Sequence, residues 1–146
     1  GASFGLAQLE KLPVNIQTRQ DNFKRQCDFF NKYDQFFDVP LEMYGCNSAW
    51  LAFPVLIKKE SPFSRRQFQI YLEERNIQTR VVFTGNILRQ PMCKNIEKRV
   101  NAAGYPNADA VMERGVLLPL HHGLTEAMFQ RFHATIEEFI TNSLKS

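Results

Sequence analysis

Residues 115–140 read GVLLPLHHGLTEAMFQRFHATIEEFI, and the fold turns on how this stretch divides. VLLPL, Val116 to Leu120, is aliphatic and short, which suits a strand. His121, His122 and Gly123 then form a turn. Thr125 stands where a hydroxyl can take a free backbone N–H at a helix start. Beyond it Phe129, Phe132, Ile136, Ile140 and Leu144 recur every three to four residues, one apolar stripe of a helix. A strand that hands over to an amphipathic helix needs a sheet with helices packed on it.

Upstream the same alternation repeats. WLAFPVLIK, Trp50 to Lys58, reads as a strand, and Pro54 argues for an edge position or a bulge. SRRQ from Ser64 has the Ser-x-x-Gln form of a capping box and opens a helix ending near Asn76, with Phe68, Tyr71 and Leu72 inward. IQTRVVF follows as the second strand. Asn107 can cap a short helix through Arg114, which Gly115 stops, so VLLPL is the third strand. Asp34 to Ser48 reads as an aromatic-rich loop. The first 33 residues read as helix, interrupted or bent near Pro13, because proline removes a donor and crowds the preceding turn. The fold class is α+β: a short three-stranded, mainly antiparallel sheet packed with helices. Two parts are expected, helix over 1–33 and an α+β domain over 34–146.

Composition narrows the function. Eighteen Lys and Arg against fifteen Asp and Glu give a net charge of only +3, scattered along the chain, so nothing demands nucleic acid. Cys27, Cys46 and Cys93 are 19 and 47 residues apart, with no Cys-x-x-Cys pair. An odd count at that spacing fits neither a secreted disulfide framework nor a zinc or iron–sulfur site, and the expected setting is cytoplasmic. No run approaches the ~18 apolar residues of a membrane span, so no membrane is expected. The opening GASFGLAQLEKLP lacks Met and is helical in spacing from Phe4 onward, as in a piece of a longer protein.

Catalytic signatures are absent: no nucleophile elbow, no GxGxxG, no Walker loop. His121 and His122 are neighbours in an extended segment, so they face opposite ways and do not make one metal site. The Phe-rich positions fall on helical stripes and, with thirteen Phe against one Trp, read as core rather than as base-stacking platforms. The stretch that stands out is TRVVFTGNILRQP, Thr79 to Pro91, where an apolar strand ends abruptly in polar residues. It is either an ordinary surface loop, with Arg89 paired to a carboxylate such as Glu97, or a loop presenting Asn86, Arg89 and Gln90 to a polar ligand. Glycine allows a close approach there, and an Arg fork suits phosphate or carboxylate.

GASFGLAQLEKLP, TRVVFTGNILRQP and GVLLPLHHGLTEAMFQRFHATIEEFI, in this order and spacing, resemble the C-terminal part of the DegT/DnrJ/EryC1/StrS family. These are pyridoxal-phosphate-dependent sugar aminotransferases and dehydrases. The pairing of TGN with RQP looks closer to the nucleotide-linked 4-keto-6-deoxyhexose 3-dehydrases of lipopolysaccharide biosynthesis. The resemblance implies the small C-terminal domain of a fold-type I enzyme, with residues 1–33 as the helix linking it to a larger cofactor domain. It implies pyridoxal phosphate as cofactor and a nucleotide-linked keto-deoxy sugar as substrate, in a homodimer. It places no catalytic residue here and no metal ligand. Asn86 and Arg89 become expected cleft residues, with Gln90 and His121 behind them. The chain alone is expected to be catalytically silent. The competing readings are a stand-alone ligand-binding or interaction module and, more weakly, a nucleic-acid binder.

Overall fold

Alternation sets the centre of the molecule, which the computed structural model describes over residues 2–145. Along β2 (Phe53–Ile57), Phe53, Val55 and Ile57 are buried, and the residues between them are only half-buried. That is the period-two pattern of a strand with one face on a core. β4 (Gly115–Leu118) pairs antiparallel with β2, Phe53 opposite Leu118 and Val55 opposite Val116. β3 (Arg80–Val81) pairs antiparallel on the other side of β4.

The sheet has four strands, in the order β1-β2-β4-β3, where three were expected. The addition is β1 (Phe37–Asp38), inside the stretch that reads as a loop. Two residues are too few to alternate visibly, and only pairing with Leu56 and Ile57 makes them a strand. β2 is therefore interior rather than an edge. Pro54 is tolerated because β1 reaches only Leu56 and Ile57, so no ladder bond to β1 is missing at Pro54.

The helices close over this sheet. α1 (Ala2–Phe30) runs through Pro13 without interruption. The donor that Pro13 lacks would have bonded a carbonyl one turn earlier, and that turn is exposed, so water can take its place. α2 (Arg65–Glu73) opens with the expected capping box: Ser64 Oγ accepts from Gln67 N at 3.3 Å and Gln67 Oε1 accepts from Ser64 N at 2.8 Å. α3 (Pro106–Arg114) starts with proline in its first turn, after Tyr105 rather than at Asn107. α4 (Glu126–Ser143) is capped by Thr125 and buries Phe129, Phe132, Ile136, Phe139 and Ile140, while Leu144 at the end of the stripe is exposed.

Eleven of the thirteen phenylalanines are buried, which settles their role as core. Phe30 packs edge-on to Phe37 at 5.1 Å, Phe63 edge-on to Phe139 at 4.8 Å, and Phe23 lies flat on Trp50 at 5.0 Å. Each such ring contributes about 1.5–3 kcal/mol through burial. The two exceptions are Phe4 and Phe83, both exposed. On α1, Leu6, Leu9 and Leu12 share Phe4's exposure, so the helix enters the core only with its second half.

Candidate functional site

The strand-to-loop change at Val81 is abrupt because the backbone turns left-handed twice. Phe83 has φ 47° and Gly85 φ 62°. A non-glycine residue in that region costs about 1–3 kcal/mol, and Phe83 adopts it while exposed. Gly85 has a second reason to be glycine: a Cβ there would sit 2.2 Å from Met112 Cβ. The loop backbone therefore rests directly on α3.

From Gly85 the chain enters two short 3-10 turns, Ile87–Arg89 and Pro91–Cys93. Asn86 caps the first, its Oδ1 accepting from Leu88 N at 3.0 Å. Its Nδ2 donates to Asp109 Oδ1 on α3 at 2.8 Å, and the residue is only 5% exposed. Arg89 grips the same carboxylate with two bonds, Nε to Oδ1 at 2.9 Å and Nη2 to Oδ2 at 2.8 Å. Gln90 Nε2 closes the loop on the Thr84 carbonyl at 3.1 Å. The Arg89 guanidinium, and then the Asn86 amide, hold the Asp109 carboxyl down to about 2. The Asp109 bond in turn raises the Arg89 pKa. A cleft of about 240 Å³ opens beside this cluster, lined by Asn86, Leu88, Arg89, Tyr105 and Asp109.

Asp109 is the residue that sequence reasoning missed. Arg89 does pair with a carboxylate, but the partner is Asp109, 20 residues away, and not Glu97. The available signal was an acidic side chain in the first turn of a helix that follows an irregular, Arg-bearing loop.

His121 lies elsewhere. Val81, which leads into the loop, is opposite Val116 near the start of β4, whereas His121 follows Leu118 at its other end. There it lines a larger cleft of about 430 Å³ with Leu117, Leu124, Met128 and Phe129. Its Nδ1 accepts from Gly123 N at 3.1 Å, which leaves the proton of the neutral ring on Nε2. Within one chain the structure joins Asn86, Arg89 and Gln90 in one loop and leaves His121 in a separate cleft.

His133 is pressed on Phe29, and burial lowers its pKa to about 4. Burial pushes the Cys27 thiol up to about 11, the opposite of what a nucleophile needs. The three cysteines are free thiols. Among the described residues no group of three or more His, Cys, Asp or Glu could hold a metal ion, and no helix is long and apolar enough to cross a membrane.

Comparison with known proteins gives this geometry its setting. The model of the DegT/DnrJ/EryC1/StrS aminotransferase family matches residues 1–137. The lipopolysaccharide biosynthesis protein RfbH of Salmonella typhimurium is 30% identical over 138 residues, 94% of this chain and 31% of that protein. A dTDP-4-dehydro-2,6-dideoxy-D-glucose 3-dehydratase of Saccharopolyspora spinosa is 28% identical over 97% of this chain and 30% of its own length. The structure of E. coli GDP-4-keto-6-deoxy-D-mannose-3-dehydratase with bound hydrated PLP superposes with a TM-score of 0.77 at 28% identity, covering 93% of this chain and 33% of that one. The chain thus spans about a third of the length of the relatives it matches, and corresponds to their C-terminal portion.

Proposed function

The chain belongs to the DegT/DnrJ/EryC1/StrS aminotransferase family, and from that premise we propose that it is the small domain of a pyridoxal-phosphate-dependent 3-dehydrase acting on a nucleotide-linked keto-deoxy sugar. One observation carries the choice of reaction. The two relatives quoted above whose names state a reaction are both 3-dehydratases of nucleotide-linked sugars, each matched over more than nine-tenths of this chain.

The residues present do not by themselves make a cofactor site. The lysines are exposed apart from Lys58, which is half-buried and paired with Asp38 at 3.4 Å. None sits in an enclosed pocket that could hold the cofactor, and the chain alone is inactive. Its part is to bind and orient. Arg89 meets the pyrophosphate of the nucleotide, on a loop that Asn86 and Gln90 hold in shape. His121 serves the second cleft.

Residues 1–33 link this domain, residues 34–146, to the cofactor-bearing part of the protein, which works as a cytoplasmic homodimer. In support, Phe4, Leu6, Leu9 and Leu12 are exposed along α1, as a joining surface requires and a stand-alone module does not. The free thiols fit a reducing compartment.

The test is product analysis with the full-length protein, pyridoxal phosphate and GDP- or dTDP-linked 4-keto-6-deoxyhexose. A 3-dehydrase removes the C3 hydroxyl; an aminotransferase keeps it and places nitrogen on the keto carbon. Loss of the C3 hydroxyl is expected. A product that retains it and gains nitrogen overturns the dehydrase assignment.

A further inference from the structure

A guanidinium carries two forks, one from Nε and Nη2 and one from Nη1 and Nη2. Asp109 takes the first fork of Arg89 with both carboxylate oxygens. The second fork has no protein partner among the described residues, and the side chain is 63% exposed. A grip at two points on one edge fixes the plane of the group, and so fixes where the free edge faces.

The carboxylate that grips it is itself held in place. Arg65 Nη1 donates to the Met112 carbonyl at 2.6 Å, and Arg114 Nη1 donates to the Ile57 carbonyl at 2.6 Å, which ties α3 to α2 and to β2. The loop backbone bears on the same helix at Gly85 and Met112. The buried Asn86 amide adds a third bond to Asp109.

We propose that Asp109 is the positioning residue for Arg89: it holds the Nε/Nη2 edge so that the Nη1/Nη2 edge is presented, as a preset fork, to the pyrophosphate of a nucleoside diphosphate. This rests on the reading of Arg89 as a nucleotide contact. A simple electrostatic view predicts the reverse, since a carboxylate repels an anionic ligand. Water screens that repulsion at an exposed site, whereas the loss of a fixed orientation is not screened.

The two views give opposite signs for Asp109→Asn, which keeps the shape but sets an N–H against Nη2. In the full-length protein, binding of GDP and of dTDP is measured by calorimetry for the parent, Asp109→Asn, Arg89→Ala and the double variant, each checked by thermal unfolding. Arg89→Ala is expected to weaken binding about ten- to a hundredfold, and Asp109→Asn about three- to tenfold. In the Arg89→Ala background Asp109→Asn should cost nothing more, because it acts only through Arg89. Tighter binding by Asp109→Asn overturns the inference, as does an equal loss in both backgrounds, which would mean a merely structural role. No loss from Asp109→Asn alongside a loss from Arg89→Ala sinks the inference and leaves the nucleotide contact standing. No loss from Arg89→Ala removes that contact itself, and the inference with it.

Discussion

His133 lies flat on Phe29, the ring centroids 3.8 Å apart and the planes 3° from parallel. Its Nε2 is 2.9 Å from Gln26 Oε1, and Gln26 Nε2 donates to the Pro119 carbonyl at 3.3 Å. A carbonyl can only accept, so the Gln26 amide is oriented and the His133 Nε2 must donate. The neutral ring fits this arrangement. Burial first, then Arg25 and Lys32, lower the pKa from 6.5 to about 4, against an opposing pull from Glu126. The folded state therefore binds fewer protons than the unfolded state between those values. The His133 contribution to stability should fall as pH drops from 6.5 through about 4 and level off below, where the loss still to come belongs to Asp109. Denaturant unfolding at a series of pH values tests this. His133→Gln should flatten the dependence across that window; an equally steep dependence in the variant would assign it to other groups.

Gly85 and Gly104 both have positive φ, 62° and 70°, but only Gly85 presses on a neighbour. Gly104→Ala should cost about 1 kcal/mol, the left-handed penalty alone. Gly85→Ala adds a collision with Met112 and should cost about 2–4 kcal/mol. Equal midpoints for the two variants in a urea melt would contradict the close approach.

Ser64→Ala removes the hydroxyl half of the capping box on α2, leaves the backbone N–H of residue 64 to bond Gln67 Oε1, and should destabilise by about 1 kcal/mol. Calorimetric unfolding reads this directly. Ser64→Asp should recover most of the loss, since a carboxylate can accept the same N–H.

Produced alone, the chain should self-associate through the first half of α1, where Phe4, Leu6, Leu9 and Leu12 are exposed. Light scattering over a concentration series should show a mass that rises with concentration, and Leu6→Glu with Leu9→Glu should abolish the rise. A strict monomer in the parent chain would show that the helix finds cover within its own molecule.

Given pyridoxal phosphate, the chain alone should retain none through dialysis, because no lysine is enclosed. A protein-bound absorbance band that survives dialysis and disappears with one Lys substitution would point to a site formed by the chain itself.

Elements carried by local chemistry were legible from the sequence. The capping box at Ser64, the Thr125 cap and the apolar stripe of α4 each depend on residues within a turn or two of one another. What was not legible depends on partners far along the chain. Phe37 and Asp38 become a strand only through Leu56 and Ile57. Asp109 reads as an ordinary helix-start acid until the fold brings Arg89 and Asn86 to it. The loop's polar character was visible in TGNILRQP; that Asn86 would be buried as its staple while Arg89 kept a free edge was not, because both depend on α3.

α1 has 29 residues, a rod of about 43 Å, and the 13 residues from Ala2 to Val14 are exposed. Mechanically that is a lever clamped at one end by Phe23, Phe29 and Phe30. A tilt of ~5° at the clamp sweeps the free arm by roughly 2 Å, about a third of a helical turn. Whatever seats on Leu6, Leu9 and Leu12 is therefore coupled to the Phe23–Trp50 stack, and a torque applied at either end is felt at the other.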